Sequence, residues 1–265
     1  MFDLNRLLHA ISSGAEISAD FQRMLEWKLL RGSHEFPGPE GGTCVNEAAI
    51  VAAGYPYRPV YCVKDMPPSF SRPLATLALC LNDTLDDALR QQLLKPFVTR
   101  LAGTADTAQV ELDRAELMML RTIVEIIAPA LARAGCADLA QRARLMRSPV
   151  LFIDIVHGLH SAGRRVDQHL LSACEHVADA IAHWHGALAA EAVFCTFSAM
   201  REIALLDGEQ QSETVYRRAA AILDAALELG APGQREAAEV VARRMQAAKG
   251  GPTLVLARED DSLLA

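Results

Sequence analysis

The residues best suited to chemistry lie in one short stretch, 41–47, which reads GGTCVNE. A glycine-rich loop here leads into a predicted helix, with Thr43 as its N-cap residue. Cys44 then lies in the first turn, where unpaired backbone amides and the helix dipole lower the pKa of a thiol. A thiolate at this position is a candidate nucleophile, with His34 or Glu47 as its partner. The alternative is a capped helix with a small buried cysteine and a solvated glutamate.

A second candidate segment is Leu-Asn-Asp-Thr at 81–84. Asn82 or Asp83 could line the same pocket as Cys44. The alternative is simple turn chemistry, because Asn, Asp and Thr all favour the ends of helices. The candidate catalytic set for a thiol-dependent acyl or group transfer therefore consists of four residues: Cys44, Glu47, His34 and Asp83.

Histidines are concentrated in one region, since six of the eight fall between positions 157 and 185. His176, Asp179 and His183 follow i, i+3, i+7 spacing and could share a metal with another helix. Metal sites in helical bundles need inward-pointing ligands, often from Glu-x-x-His pairs, and that pair is missing here. Helical geometry places His169, His176 and His183 on the flank of the apolar stripe formed by Leu170, Cys174, Val177, Ile181, Trp184 and Leu188. Solvated flank histidines are therefore favoured over a metal site.

No motif predicts a cofactor. The loop at 41–47 lacks the Gly-Lys-Ser/Thr ending of a phosphate-binding loop, and no strand precedes it as in a dinucleotide fold. The six cysteines are scattered without a Cys-x-x-Cys pair, which disfavours structural zinc. We expect free, buried thiols in a reducing compartment, with Cys44 as the exception.

Composition limits the class of protein. The chain has 265 residues, 51% hydrophobic and only 5% aromatic, with a formal net charge of -7. This length is sufficient to bury a substantial core. No dense block of Lys and Arg is present, which argues against nucleic-acid and membrane-surface binding. Neither a signal peptide nor a run of about 18 apolar residues is found, so a cytoplasmic location without membrane association is predicted.

The predicted fold class is all-α or nearly so, a multi-helix array with an irregular Gly/Pro-rich loop region at 33–72. Apolar periodicity leaves one segment, 150–156, undecided between strand and helix. Val60 to Val63 could be extended. Helices are predicted, with a perturbation at Pro129, over approximately 4–14, 18–32, 44–53, 73–81, 85–95, 107–134, 137–146, 166–206, 212–229 and 234–248.

A domain boundary is predicted near Ser148. It separates an N-terminal helical region, 1–148, from a C-terminal helical bundle region, 149–252, and a flexible tail, 253–265. A single compact domain is the alternative.

Several segments together resemble a domain found in many bacterial and phage genomes. Its members carry a Cys-x-x-Glu-Ala helix, a proline-bearing loop, a Leu-Asn-Asp segment and an Arg-Leu-x-Gly-Thr segment. The last two correspond here to 81–83 and 100–104, and the whole resemblance covers 29–106. The family has no known function, so the resemblance implies no reaction. It does mark 33–104 as the shared functional or structural unit.

Two classes of function remain open. An acidic helical protein without a diagnostic motif favours a binding or adaptor protein, which holds a protein partner through its helices or the 33–72 loop. The alternative is the thiol-dependent enzyme built around Cys44. A histidine-bound metal protein is a more remote third reading, and a homo-oligomer is compatible with each of them.

Overall fold

The computed structural model describes residues 28–34, 42–53, 55, 58–161 and 166–230. Within these ranges every regular element is helical, and the β-type pairing is limited to an isolated bridge between Leu29 and Thr43. The prediction of an all-α, multi-helix fold is therefore confirmed. None of the helices in the described ranges has the length and apolar character needed to cross a membrane.

The described helices are α1 (Val45–Ala52), α2 (Arg72–Thr84), α3 (Asp87–Leu94), α4 (Phe97–Arg100), α5 (Ala108–Thr122), α6 (Ala128–Arg133), α7 (Ala137–Arg144), α8 (Ile153–Ser161), α9 (Gln168–His185), α10 (Ala189–Asp207) and α11 (Glu209–Leu227). A π-helical turn, Ile123–Ile127, joins α5 to α6. Short 3-10 turns cover Val63–Asp65 and Pro149–Phe152.

Helix α10 lies at the centre of the array. It forms a hairpin with α9 and also packs against α2, α5 and α11. Alanines at 192, 199 and 204 are buried on α10, and such small side chains allow neighbouring helices to approach closely. One hydrophobic core continues from α1 to α11, so the elements on both sides of Ser148 share it.

The long helix predicted over 166–206 is in fact two helices. α9 ends in a Schellman motif, in which the Leu188 N–H donates to the His183 carbonyl at 2.9 Å and the Ala187 N–H donates to Trp184 at 3.0 Å. Ala187 occupies the left-handed position of this motif, with φ +59. Glycine is the usual residue there because a Cβ atom disfavours positive φ. The sequence shows only alanine at this position, and the break was therefore missed.

The perturbation predicted at Pro129 is confirmed and takes the form of the π-helical turn. Proline has no N–H to donate to the carbonyl four residues earlier, which here belongs to Glu125. The Ala128 N–H instead reaches back five residues to Ile123, and the Glu125 carbonyl accepts a hydrogen bond from Arg218 Nη1 at 2.7 Å.

The corner between α2 and α3 differs from its predicted position. α2 continues through Thr84, and the N-cap of α3 is Asp86, whose Oδ1 accepts from the Leu89 N–H at 2.9 Å. The buried Arg90 stabilises this corner, because its guanidinium donates to the Asn82 carbonyl at 2.7 Å and to the Leu85 carbonyl. Both carbonyls lie at the end of α2, where carbonyl groups have no amide donor within the helix.

The ambiguous segment 150–156 is helical, divided between a 3-10 turn and α8, and Val60 to Val63 forms no strand. Residues 28–32 are not helical, because Leu29 pairs with Thr43 in the β bridge instead. The helices predicted over 4–14 and 234–248, most of 18–32, and the tail 253–265 lie outside the described residues.

Candidate functional site

Glu47 is the centre of the buried cluster formed by the GGTCVNE stretch. Its side chain has no solvent exposure. Its two carboxylate oxygens accept hydrogen bonds from Ser33 Oγ (2.8 Å), the His34 N–H (2.9 Å), Thr43 Oγ1 (3.1 Å), the Cys44 N–H (2.9 Å) and the Val60 N–H (3.1 Å). One carboxylate therefore joins three segments that are distant in the sequence.

Cys44, rather than the predicted Thr43, is the N-cap residue of α1. Its Sγ accepts from the Glu47 N–H at 3.3 Å while Glu47 Oε2 accepts from the Cys44 N–H, an arrangement known as a capping box. Thr43 Oγ1 donates to Glu47 instead. The Cys-x-x-Glu spacing is therefore explained by helix capping, which places the acid three residues after the cap.

The predicted lowering of the Cys44 pKa is wrong. Burial raises the pKa of this thiol well above its usual value, and the negative charge of Glu47 raises it further. Hydrogen bonds from backbone amides act in the opposite direction but do not overcome these effects. Sequence reasoning anticipated the helix N-terminus correctly, but it could not anticipate that Cys44 would be completely sealed from solvent.

Glu47 is ionised despite its burial. Loss of solvent raises the pKa of the carboxyl, but hydrogen bonds from the Cys44 and His34 amides, Ser33 and Val60 outweigh it and lower the pKa below the usual value. His34 Nδ1 lies 3.4 Å from Glu47 Oε2. The alternative interpretation of this stretch is a capped helix with a buried Cys44 and a solvated Glu47. It is right for the cysteine and wrong for the glutamate, which is buried.

Asn82 and Asp83, near the end of α2, bind the start of α1 and the segment before it. Asn82 Oδ1 accepts from the Val45 N–H at 3.1 Å, and its Nδ2 donates to the Leu30 carbonyl at 2.8 Å. Asp83 Oδ1 accepts from the Gly32 N–H at 3.0 Å. The Val45 amide at the start of α1 is thus already occupied by a protein group.

The structure brings the four predicted catalytic residues to one place. There they hold separate segments of the chain together. Glu47 contacts both His34 and Cys44, and Asp83 holds the loop that precedes His34. Gly42 closes this cluster tightly, since a Cβ atom there would overlap the Leu30 side chain. The glycine is needed for close packing, and the arrangement holds the 28–34 segment against α1 and α2.

The histidine region follows the favoured interpretation. Asp179 is exposed, His176 and His183 are half-buried, and the stripe from Leu170 to Ile181 is buried. In the described part of the chain no three His, Cys, Asp or Glu side chains are placed to hold a metal ion, so the structure adds no support for a metal site at His176, Asp179 and His183. Leu188, predicted to extend the stripe, is 46% exposed because it follows the end of α9.

All six cysteines are free, as predicted. Their burial is the reverse of the expectation at two positions. Cys44, expected to be accessible, is buried, and Cys62, expected to be buried, is exposed. Cys62 lies in a turn within the loop region predicted over 33–72.

That turn borders a groove that sequence reasoning missed. The groove has a volume of about 340 Å³ and lies between the 61–63 turn, α2 and the first turns of α10. We call it the acidic groove, because the charged residues among its described lining are Asp83 and Glu191 alone. The groove is also lined by Tyr61, Cys62, Leu79 and Phe194.

The rim of the acidic groove is held in place by hydrogen bonds. Asp65 Oδ2 accepts from the Tyr61 N–H and the Cys62 N–H, both at 2.9 Å, and the Cys62 amide is the main cause of a lowered pKa at this carboxyl. Arg72 Nη1 donates to the Val63 carbonyl at 3.1 Å, which fixes the turn to α2. Two aromatic side chains project from the rim, with Tyr61 69% and Phe194 57% exposed.

No protein-family model, curated protein or solved structure matches the chain. The buried cluster and the acidic groove are therefore interpreted from their own geometry.

Proposed function

We propose that this protein is a binding or adaptor protein whose acidic groove holds a partner polypeptide. The partner inserts one bulky apolar side chain between Tyr61 and Phe194, and a neighbouring lysine or arginine pairs with Asp83 or Glu191. The observation that carries the proposal is the combination of two exposed aromatics and two carboxylates around one preformed apolar groove.

The size of the groove favours a side chain over a large cofactor. At about 340 Å³ it is at the lower end of ligand pockets, which run from roughly 300 to 1,000 Å³. Aromatic residues are enriched at protein interfaces because they bury a large area with little loss of conformational freedom. Tyr61 is also fixed through its backbone to Asp65, so little ordering is required on binding.

Charge selects among apolar partners. Asp83 and Glu191 give the groove a negative potential, and the whole chain carries a formal charge of -7. A basic residue beside the apolar anchor speeds association and disfavours acidic competitors. We propose a cytoplasmic setting for this interaction, since six free thiols fit a reducing compartment.

The alternative of a thiol-dependent enzyme at Cys44 lacks a reactive group. The thiol is sealed and its pKa is raised, whereas the nucleophile of such an enzyme is an accessible thiolate. The cluster at Glu47 supports the groove indirectly by fixing α1 against α2.

A random peptide library displayed on phage tests the proposal. The library is selected on the folded protein and counter-selected on the Phe194→Ala variant. We expect enriched peptides to contain a bulky apolar residue within a few positions of Lys or Arg. Synthetic copies should bind at least about tenfold more weakly to Phe194→Ala and to Glu191→Gln, a loss of about 1.4 kcal/mol or more.

Leu205→Ala is the matched control, because Leu205 lies on the same helix and is 55% exposed, but it does not line the groove. Its peptide affinity should equal that of the unaltered protein. The proposal fails if no peptide is enriched over the counter-selection, or if the enriched peptides bind all three variants equally.

A further inference from the structure

A second cavity lies beside the π-helical turn, Ile123–Ile127. It has a volume of about 200 Å³ and is enclosed by α6, the end of α10 and the first turns of α11. Its polar lining residues are Arg133, Asp207, Gln211, Thr214 and Arg218. None of them belongs to the buried cluster at Glu47 or to the acidic groove.

Pro129 explains why this cavity has a fixed guanidinium. Because proline cannot donate to the Glu125 carbonyl, that carbonyl accepts from Arg218 Nη1 at 2.7 Å. Arg218 is half-buried, so the bond holds its side chain in one position against the turn. An arginine has five N–H donors, and this hydrogen bond uses one of them. π-helical turns of this kind often occur at functional sites.

The second guanidinium belongs to Arg133. It pairs with Asp207, whose side chain is only 10% exposed, and Arg133 itself is 48% exposed. The two arginines and one aspartate leave one excess positive charge in the cavity. Thr214 adds a hydroxyl and Gln211 adds an amide, both able to donate hydrogen bonds.

We propose that this cavity binds a small oxyanion of the phosphate type. Guanidinium groups match the spacing of two oxygens on a phosphate group, and two of them converge here with two neutral donors. Gln211 lies in the first turn of α11, where the helix dipole also favours negative charge. The volume admits inorganic phosphate or a phosphate monoester group and is too small for a whole nucleotide.

The proposal does not depend on the acidic groove. The two sites share no lining residue and select ligands of opposite charge. A failure of phosphate binding therefore does not bear on the proposed peptide binding, and a failure of peptide binding does not bear on the proposed phosphate site.

Isothermal titration calorimetry with sodium phosphate, in buffers matched in ionic strength with sodium chloride, tests the site. We expect saturable binding at one site per chain, weakened at least tenfold by Arg218→Gln. Since Arg218 also supports the π-helical turn, Thr214→Val is a second variant that leaves this support intact, and it should weaken binding severalfold. Arg217→Gln is the control, because this exposed neighbour pairs with Glu213 outside the cavity, and it should bind as the unaltered protein does.

A parallel titration with O-phosphoserine distinguishes the source of the anion. Binding of phosphate alone assigns the cavity to the free ion, whereas binding of both assigns it to a phosphate monoester, and either result supports an oxyanion site. The proposal is overturned if neither ligand binds above the chloride control, or if Arg218→Gln and Thr214→Val both bind as tightly as Arg217→Gln.

Discussion

Cys44 and Glu47 cap each other. The Cys44 N–H donates to Glu47 Oε2 at 2.9 Å, and the Glu47 N–H donates to Cys44 Sγ at 3.3 Å. Each residue therefore satisfies a backbone donor that the first turn of α1 would otherwise leave unpaired. A cysteine and a glutamate at this spacing resemble a nucleophile and its base, but here they stabilise a helix terminus.

Replacing the cap atom tests this role. Cys44→Ser keeps an acceptor at the cap position, whereas Cys44→Ala removes it and leaves the Glu47 N–H without that partner. We expect the alanine variant to be less stable than the serine variant by about 1 kcal/mol. Urea unfolding followed by circular dichroism measures the difference. Equal stability of the two variants would show that the sulfur contributes through packing alone.

The buried carboxylate of Glu47 predicts a specific pH dependence. Because its pKa is lowered in the folded protein, its contribution is fully present above the pKa of an unfolded glutamate, about 4.3, and is lost as pH falls below that value. The Glu47→Gln variant lacks this titration. Its free energy of unfolding at neutral pH should be lower than that of the unaltered protein by about 3 kcal/mol or more, because five hydrogen-bond donors lose their ionised acceptor.

Urea midpoints of the unaltered protein and of Glu47→Gln at about pH 7 and about pH 3.5 measure the effect. The difference in stability between these two proteins should be smaller at the lower pH. Asp83→Asn serves as a control for the general loss of an acidic residue in the same region. A constant difference across this pH range would mean that Glu47 titrates as an ordinary carboxyl.

Thiol reactivity should follow burial. Cys62 is exposed, whereas Cys44 and Cys174 have no solvent exposure, and burial raises the pKa of Cys174 to about 12. We expect iodoacetamide to label Cys62 at least about tenfold faster than Cys44 in the folded protein, as read by peptide mass spectrometry. The fast phase should disappear in Cys62→Ser, and unfolding in urea should equalise the remaining sites. Preferential labelling of Cys44 would restore the enzyme hypothesis.

Ala187 offers a stabilising substitution. It occupies the left-handed position at the end of α9, with φ +59. At the end of α6 the equivalent position is occupied by Gly135, with φ +76. Ala187→Gly removes the steric cost of a Cβ atom at positive φ and should raise the free energy of unfolding by about 0.5 to 1 kcal/mol. Ala189→Gly, in the first turn of α10, is the contrasting variant and should lower it. Thermal unfolding compares the two, and destabilisation by Ala187→Gly would contradict this account.

The amino-acid sequence by itself determined the helical character of the chain and several local features. The flank position of the histidines on α9 and the perturbation at Pro129 both follow from contacts within four residues, which the order of residues fixes directly. The position of Cys44 at the start of a helix was also predicted, for the same reason.

Only the tertiary structure decided what these residues do. Glu47 collects hydrogen bonds from Ser33 and Val60, and no local pattern records that both would lie against one carboxylate. Tyr61, Leu79 and Phe194 line one groove although they come from three distant segments. Burial and pKa values depend on such long-range packing, because the solvent and charge around a side chain are set by whichever elements fold over it.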